Sequence, residues 1–481
     1  MLRDAEQDPR RRLPALDALL KEPEIVALVQ LYGRPSVVVQ ARLLMTELRA
    51  ARTTSPKDAG PGEETLAAWM GSEIPRRIEL ARGGASRRVL NATGVLLHTN
   101  LGRSPIPAVV WRAVEERMTA ACDLELDLET GERGDRNRRL EALLREATGA
   151  PAALVVNNNA AALLLALSSL SGGERPGQPE VIVSRGELVE IGGSFRIPEI
   201  LATAGVRLRE VGTTNRTRLA DYESAIGPTT VGMLKVHPSN YRVRGFTEAV
   251  DEAALAALAS RRGLPWLADE GSGLLGPSEH PGLRDHASLS RLMELGCHLA
   301  CGSGDKLLGG PQSGLLVGDV AAIDRCRRHP WYRVVRPGRA VALLLEETLR
   351  RRLAGAPAPF ERLWPDLAEL QARLERLRDR LGCGEILPSA GLVGGGAAPD
   401  EPVVGPAWSF EDPHSGLDLG SILRRLRRGE PSILASARQG RLWIDLRAVD
   451  PQDDPALAEA LARGLSLATD GGRSPRLERG R

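Results

Sequence analysis

Residues 303–312 read Ser-Gly-Asp-Lys-Leu-Leu-Gly-Gly-Pro-Gln, which places Lys306 between small residues and a Gly-Gly-Pro turn. Lysine is rare in this chain: four of the 64 basic residues are lysines and the rest are arginines. A lysine in a desolvated pocket has a lowered pKa, and its neutral amine can form a Schiff base with a carbonyl. The stretch therefore predicts a reactive lysine at a ligand site, although a lone lysine beside glycines is more often a surface residue.

Two other features come before this lysine in the chain. Asp269 follows the apolar run Trp266–Ala268, and a carboxylate at a strand end can pair with a protonated pyridine nitrogen. Residues Asn157–Asn159 close another apolar run and open a helix, whose N-terminus offers free N–H groups to a phosphate. Alone, such an aspartate is more often a helix cap and such an asparagine run a loop. Phosphate loop, acid and lysine in this order indicate a pyridoxal-phosphate enzyme of the aspartate-aminotransferase type, fold-type I.

Short β-rich runs alternate with helical patterns around these residues. The runs are Ala153–Val156, Val181–Val183, Val206–Val211, Val231–Val236, Trp266–Ala268 and Gly314–Val317. Such alternation predicts an α/β domain with a mainly parallel sheet and helices on both faces. Ligands of such sheets bind at the carboxyl ends of the strands, where the unusual polar residues of this chain lie.

We expect four regions along the chain. Residues 1–85 carry apolar stripes at helical spacing and form a small helical domain, and residues 86–340 form the large domain. A long amphipathic helical pattern then runs to Arg380, and with the mixed strands and helices that follow it makes a smaller α+β domain over 341–470. Residues 471–481 have the composition of a disordered tail.

The composition is that of a globular protein, with 42% hydrophobic and 26% charged residues and a net charge of +2. The chain therefore has no large excess of positive charge, and its net charge gives no sign of binding to nucleic acid or to a membrane surface. Five cysteines are a sparse, odd set that favours reduced thiols, and no second Cys/His pair completes a zinc site. The N-terminus is charged, and the longest apolar run, Ala160–Leu167, is too short to cross a membrane. We expect a cytoplasmic protein with no metal and no membrane partner.

Several longer motifs, in the same order, resemble the bacterial selenocysteine synthase family, the L-seryl-tRNA(Sec) selenium transferases. The resemblance extends over nearly the whole chain and is far more specific than any single motif. The matching stretches are 91–103, 131–136, 155–161, 184–193, 210–216, 235–241 and 303–312, with 12–17 near the N-terminus and 393–396 and 445–447 near the C-terminus.

The resemblance implies a role for each main site residue. Lys306 would hold pyridoxal 5'-phosphate, Asp305 would be its catalytic neighbour, and Asp269 would pair with the pyridine nitrogen. The freed lysine would take the α-proton of a seryl group, and hydroxide would leave before selenium adds. The further cofactor-binding residues that we expect are Asn158, Asn159 and Ser303.

Three arginines match residues that bind the phosphate of the selenium donor in this family: Arg103, Arg333 and Arg336. Guanidinium groups bind phosphate bidentately, which fits the implied donor, selenophosphate. The other implied substrate is seryl-tRNA(Sec), bound by the N-terminal helical domain. The resemblance also implies a homo-oligomer, built as a ring of dimers.

Two places depart from the family pattern. Arg336-Pro337-Gly338-Arg339 stands where the family usually continues Arg-Val-Asp-Lys, and a proline favours the first turn of a helix. We therefore expect an altered start of the following helix and altered geometry around Arg336. The second departure is Asp269-Glu270-Gly271, where the family more often has Asp-Leu-Gly.

Two alternatives stay open on the sequence alone. Another fold-type I pyridoxal-phosphate lyase, acting on a small amino acid or an amino sugar phosphate, would share Lys306 and Asp269, but it would have less use for residues 1–85. A tRNA-binding relative without catalysis would have no reason to keep Lys306, Asp269 and all three arginines.

Overall fold

The structure, a computed structural model, describes residues 14–54, 63–83, 86–171, 177–191, 195–238, 241, 243–280, 283–284, 286–397, 402–411 and 418–465. Contacts within the chain divide it into two compact units, Met1–Arg88 and Val89–Arg481. The expected tail over 471–481 lies outside the described residues.

The first unit is helical. Its helices are α1 (Leu16–Leu19), α2 (Pro23–Tyr32), α3 (Arg34–Thr54) and α4 (Glu63–Ala81). Apolar residues at helical spacing, such as Val37, Ala41, Leu44 and Leu48 on α3, face one buried core. This core is separate from those of the second unit, so these helices have their own apolar interior.

The second unit contains a seven-stranded sheet with the strand order β2-β10-β9-β8-β7-β3-β6. Neighbours from β9 to β6 pair in parallel, whereas β10 runs antiparallel to both β2 and β9. The strands are β2 (Ala152–Val156), β3 (Glu180–Ser184), β6 (Arg207–Val211), β7 (Thr230–Val236), β8 (Trp266–Asp269), β9 (Leu299–Ser303) and β10 (Gly314–Gly318), with a short hairpin of β4 (Glu190–Ile191) and β5 (Phe195–Arg196) outside the sheet. All six predicted strand runs are therefore found in this sheet.

Helices cover both faces of the sheet, because its central strands are apolar on both sides. Leu154, Val156 and Leu267 belong to one core cluster, and their neighbours Val155 and Trp266 belong to the opposite one. The helices before the C-terminal sheet are α5 (Ala108–Thr119), α6 (Arg138–Thr148), α7 (Asn159–Ser168), α8 (Ile197–Thr203), α9 (Leu219–Ala225), α10 (Glu252–Arg262), α11 (Leu289–Glu294), α12 (Val320–Arg328), α13 (Pro330–Val334), α14 (Arg339–Leu353) and α15 (Leu367–Leu381).

A second, five-stranded sheet has the order β1-β13-β14-β12-β11. Its strands β1 (Val89–Ala92), β11 (Glu385–Gly391), β12 (Val403–Phe410), β13 (Ser432–Arg438) and β14 (Arg441–Ile444) are packed with α15, α16 (Leu419–Arg428) and α17 (Asp454–Gly464). Strand β1 precedes the large sheet in the chain, yet it pairs in parallel with β13.

The long amphipathic pattern expected to run to Arg380 is two helices in the structure, α14 and α15, separated by a 3-10 turn at Pro359–Leu363. Gly355, with φ of 82°, and the prolines after it end the first helix, because neither residue type continues a helix easily. Pro337 does not start a helix: α14 begins at Arg339 with Gly338 as its N-cap. In the described part of the chain, no helix is both long enough and apolar enough to cross a membrane.

Candidate active site

Polar residues collect at one edge of the seven-stranded sheet. Strands β3, β7, β8 and β9 run in parallel, so their carboxyl ends share this edge, and β2 points the same way through β10. Asp269 and Ser303 end two adjacent strands, His237 follows β7, and Asn157 follows β2. This edge is where ligands of such sheets bind.

Lys306 lies just beyond β9 and is only 5% exposed. Its Nζ donates to the carbonyl of Gly271 at 2.9 Å and to that of Gly396 at 2.5 Å. Burial lowers the pKa of Lys306, and nearby Arg103 lowers it further, against the opposite pull of the surrounding carboxylates. A lower pKa leaves more of the amine neutral and nucleophilic, as a lysine that attacks an aldehyde requires.

Asp269 is a buried carboxyl group close enough to Lys306 for their charges to interact. Its Oδ1 accepts a hydrogen bond from Asn159 Nδ2 at 2.8 Å, and Cys301 Sγ lies 3.6 Å from the same atom. Burial raises the pKa of Asp269, and the Asn159 contact opposes that rise. A cationic ring nitrogen placed against this carboxyl would favour its ionised form.

The asparagine loop opens α7 as expected, and its side chains contact groups within the protein. Asn158 is the N-cap, and its Oδ1 accepts from Ala161 N at 2.8 Å. Asn159 Nδ2 donates to Asp269, and Asn159 Oδ1 has no hydrogen-bond partner among the described residues. The first backbone N–H groups of α7 remain to receive a phosphate.

Ser303 and Asp305 come just before Lys306 in the chain, and both are buried. Asp305 Oδ2 accepts from Arg103 Nη1 at 2.8 Å, and the Asp305 carbonyl accepts from Ser104 N at 3.2 Å. Asp305 Oδ1 has no partner within the described residues. Arg103 is thus held beside the lysine, on backbone with a φ of 61°.

We call Arg103, Arg333 and Arg336 the arginine set. Among the described residues, these three arginines do not share a common partner. Arg336 Nη1 lies 3.3 Å from Glu125 Oε1, a carboxylate that also binds Arg136. Arg333 is exposed on α13. This segment meets the asparagine loop where the N–H of Asn157 donates to the Val335 carbonyl at 2.9 Å.

The donor set fits pyridoxal 5'-phosphate. A buried amine, a buried carboxyl group and a capped helix N-terminus meet the needs of its aldehyde, its ring nitrogen and its phosphate. Unpaired buried atoms at Asn159 and Asp305 leave polar capacity for a ligand. We call Lys306, Asp269, Asn159 and the carbonyls of Gly271 and Gly396 the lysine pocket. The roles given to individual residues stay predictions.

Comparison with known proteins agrees with this geometry. Residues 89–450 match the L-seryl-tRNA selenium transferase family, and residues 10–49 match the selenocysteine synthase N-terminal family. The L-seryl-tRNA(Sec) selenium transferase of Geobacter sulfurreducens is 41% identical over 94% of this chain and 98% of its own length. That of Moorella thermoacetica is 39% identical over 96% and 98%.

A solved structure, D-glucosaminate-6-phosphate ammonia-lyase, matches with a TM-score of 0.59 at 21% identity. The match covers 82% of this chain and 99% of that one, which shows a shared fold. The fold-type I prediction is thus confirmed. The resemblance found in the sequence is confirmed as well: the chain belongs to the L-seryl-tRNA selenium transferase family.

Proposed function

We propose that this protein converts L-seryl-tRNA(Sec) to L-selenocysteinyl-tRNA(Sec), with selenophosphate as the selenium donor. The observation that carries the proposal is the buried Lys306 beside Asp269, in a chain about 40% identical over nearly its full length to transferases of that name. The protein is a pyridoxal-phosphate-dependent transferase. No observation on the chain favours another lyase or a tRNA-binding protein without catalysis.

Lys306, Asp269 and the start of α7 would hold the cofactor by its aldehyde, its ring nitrogen and its phosphate. When bound, pyridoxal phosphate supplies an electron sink for the bonds broken at the α-carbon of the seryl group. Asp269 would keep the ring nitrogen protonated, because a carboxylate in a buried site favours the cationic form of a base beside it. The lowered pKa of Lys306 suits it to remove the α-proton once the substrate amine has replaced it.

Asp305 and Arg103 would act next to the leaving hydroxyl group and the incoming donor. Asp305 Oδ1 has no partner within the described residues, so it is free to hydrogen-bond a substrate group. Arg103 Nη1 already binds Asp305, and the guanidinium has further N–H groups for a phosphate oxygen. Arg333 and Arg336 would complete the phosphate site, with Arg336 exchanging Glu125 for the donor.

The helical unit is the part that we propose for tRNA binding. Arg34, Arg42 and Arg49 lie exposed on its helix α3. Contacts to tRNA are made mostly to phosphates and shape, which an exposed arginine row can serve. A homo-oligomer, a ring of dimers, and a cytoplasmic location complete the proposal. None of the five cysteines forms a disulfide, which fits a reducing compartment.

The test is conversion of seryl-tRNA(Sec) by the purified protein, with selenophosphate and pyridoxal phosphate present. We expect selenocysteinyl-tRNA, and none when selenophosphate is left out. A cofactor-loaded protein that releases ammonia from amino sugar phosphates but leaves seryl-tRNA unchanged would contradict the proposal.

A further inference from the structure

Glu270, the residue after Asp269, is a buried carboxylate that the proposed reaction does not use. It is 3% exposed, and both of its oxygens accept hydrogen bonds. Oε2 accepts from Gly273 N at 2.6 Å, and Oε1 accepts from Leu274 N at 3.3 Å. Oε1 also accepts from Ser272 Oγ and lies 2.7 Å from His286 Nε2. A carboxylate with so many donors is fixed in place.

The space for this carboxylate exists because residue 302 is glycine. A Cβ at Gly302 would lie 2.6 Å from Glu270 Oε2 and 3.1 Å from the Gly273 Cα. A leucine at position 270 could accept none of these hydrogen bonds. Glu270 and its donors therefore form one polar unit in this chain.

This polar unit is tied directly to Lys306. Gly271, between Glu270 and Ser272, has a φ of 72°, and its carbonyl accepts from Lys306 Nζ at 2.9 Å. On the other side of the lysine, Leu307 N donates to the Ser272 carbonyl at 2.9 Å. The turn that Glu270 holds thus contacts the lysine through both its amine and the adjoining backbone.

The unit also extends to the sheet edge through two histidine rings. His286 donates to Glu270 and packs edge-on against His237, with 4.1 Å between the ring centroids. His286 Nδ1 and His237 Nε2 have no hydrogen-bond partner in the described part of the chain. His237 follows β7, and its N–H donates to the Asp269 carbonyl at 3.0 Å.

We infer that Glu270, Ser272 and His286 are positioning residues for Lys306: they clamp the turn that holds its amine and place a fixed negative charge beside it. The inference rests on Lys306 being the cofactor lysine of the proposed function. The charge of Glu270 raises the pKa of Lys306, against the stronger lowering by burial. Among the described residues, the other charged or titratable groups that face this lysine are Arg103, Asp269, Asp305 and His237.

The test is a pH titration of the cofactor absorbance in the holoenzyme, together with kcat and KM. Glu270→Gln removes the charge but keeps the size, so the pKa of the lysine–cofactor linkage should fall by about one unit, because the linkage nitrogen loses a nearby anion. We expect kcat to fall about tenfold with KM nearly unchanged, since a misplaced amine affects the chemical step rather than tRNA binding. Glu270→Asp, which keeps the charge, should retain the linkage pKa and lose only part of kcat.

Glu294→Gln is the matched control, because Glu294 is an exposed carboxylate paired with Arg291 outside the site. Glu270→Gln with the linkage pKa and kcat of this control would overturn the inference, even if its melting temperature fell. Should Glu270→Gln not load cofactor, Glu270→Asp decides: a normal kcat would overturn the inference and a lowered one would support it. The titration needs no tRNA. Failure of selenium transfer in the unmodified protein would therefore contradict the proposed function but would not change the result of the titration.

Discussion

The lysine pocket and the arginine set differ in how deeply their side chains are buried and in how their charged groups are paired within the chain. In the pocket, Lys306 and Asp269 are buried, and each has partners within hydrogen-bond distance. In the arginine set, Arg336 is paired with Glu125 and Arg333 is exposed. Buried polar groups must find partners during folding, whereas exposed arginines can exchange theirs at little cost. In the proposed function, the pocket residues are already buried together before the cofactor binds, whereas Arg336 would have to leave Glu125 to bind a phosphate.

The largest effect should come from removing the amine of the pocket. Lys306→Ala should abolish both turnover and the cofactor band near about 420 nm that borohydride removes, because no other described lysine is in the pocket. Absorbance before and after borohydride measures this. Lys235→Ala is a poor control, because Lys235 forms a buried pair with Glu187. Lys21→Ala, on α1's C-terminal side, is a better one. A reducible band surviving in Lys306→Ala would show that the lysine is misassigned.

The next effect concerns the carboxyl group of the pocket. Asp269→Asn should still bind cofactor but lower kcat by roughly 100-fold, since a neutral partner does not hold the ring nitrogen protonated. Steady-state kinetics with the cofactor-saturated variant would measure it. Near-normal turnover would move the ring-nitrogen contact to another residue.

The arginine set should show smaller and more selective losses. Arg333→Ala and Arg336→Ala should each weaken binding of the selenium donor by roughly tenfold to a hundredfold, because a charge-assisted contact is worth about 1.5–3 kcal/mol. The measurement is the KM for selenophosphate at saturating seryl-tRNA. Arg328→Ala, a nearby exposed arginine on α12, is the matched control. Weakened seryl-tRNA binding with an unchanged donor KM would show that these arginines face the nucleic acid.

The smallest effect that we expect is a pH dependence of the folding stability, caused by the buried side chain of His237 near the pocket. Burial lowers the pKa of His237 from 6.5 to about 3. Between these values the unfolded chain binds a proton that the folded chain does not, so stability falls as the pH falls below about 6.5. From pH 7 to pH 5 the loss is about 2 kcal/mol for this one group. His237→Asn should therefore lose less in melting temperature between pH 7 and pH 5 than the unmodified protein does. An identical loss would mean that His237 takes up its proton in the folded state.

The sequence predicted the parts of this molecule that have a local pattern. The six predicted strand runs, the helix after Asn158 and the position of Asp269 at a strand end all follow from short stretches of chain. The carbonyls of Gly271 and Gly396 were not predicted to hold Lys306, because a backbone carbonyl has no signature in the residue type. The break between α14 and α15 was missed, because the apolar pattern continued on both sides of it.

The partners of charged side chains were the least predictable part of the site. Among so many arginines, nothing in the sequence singles out Glu125 as the partner of Arg336, since the two meet only in the folded chain. The contact of the Asn159 amide with Asp269 was not predicted either, because the two residues lie far apart in the chain. The partner of a charged side chain depends on which groups are buried close to it, and burial is a property of the whole fold.

The pairing of β1 with β13 has a consequence for the order of events during synthesis. Val89 lies opposite Ser432, so the ribosome makes the entire seven-stranded sheet before the neighbour of β1 exists. At about 5–20 residues per second, the first strand waits on the order of tens of seconds with an unpaired edge. Nascent chains stopped before residue 430 should therefore contain a large sheet that is protected from proteases and a β1 segment that proteases can still cut. Only in the finished chain should β1 be protected from proteolysis and from aggregation.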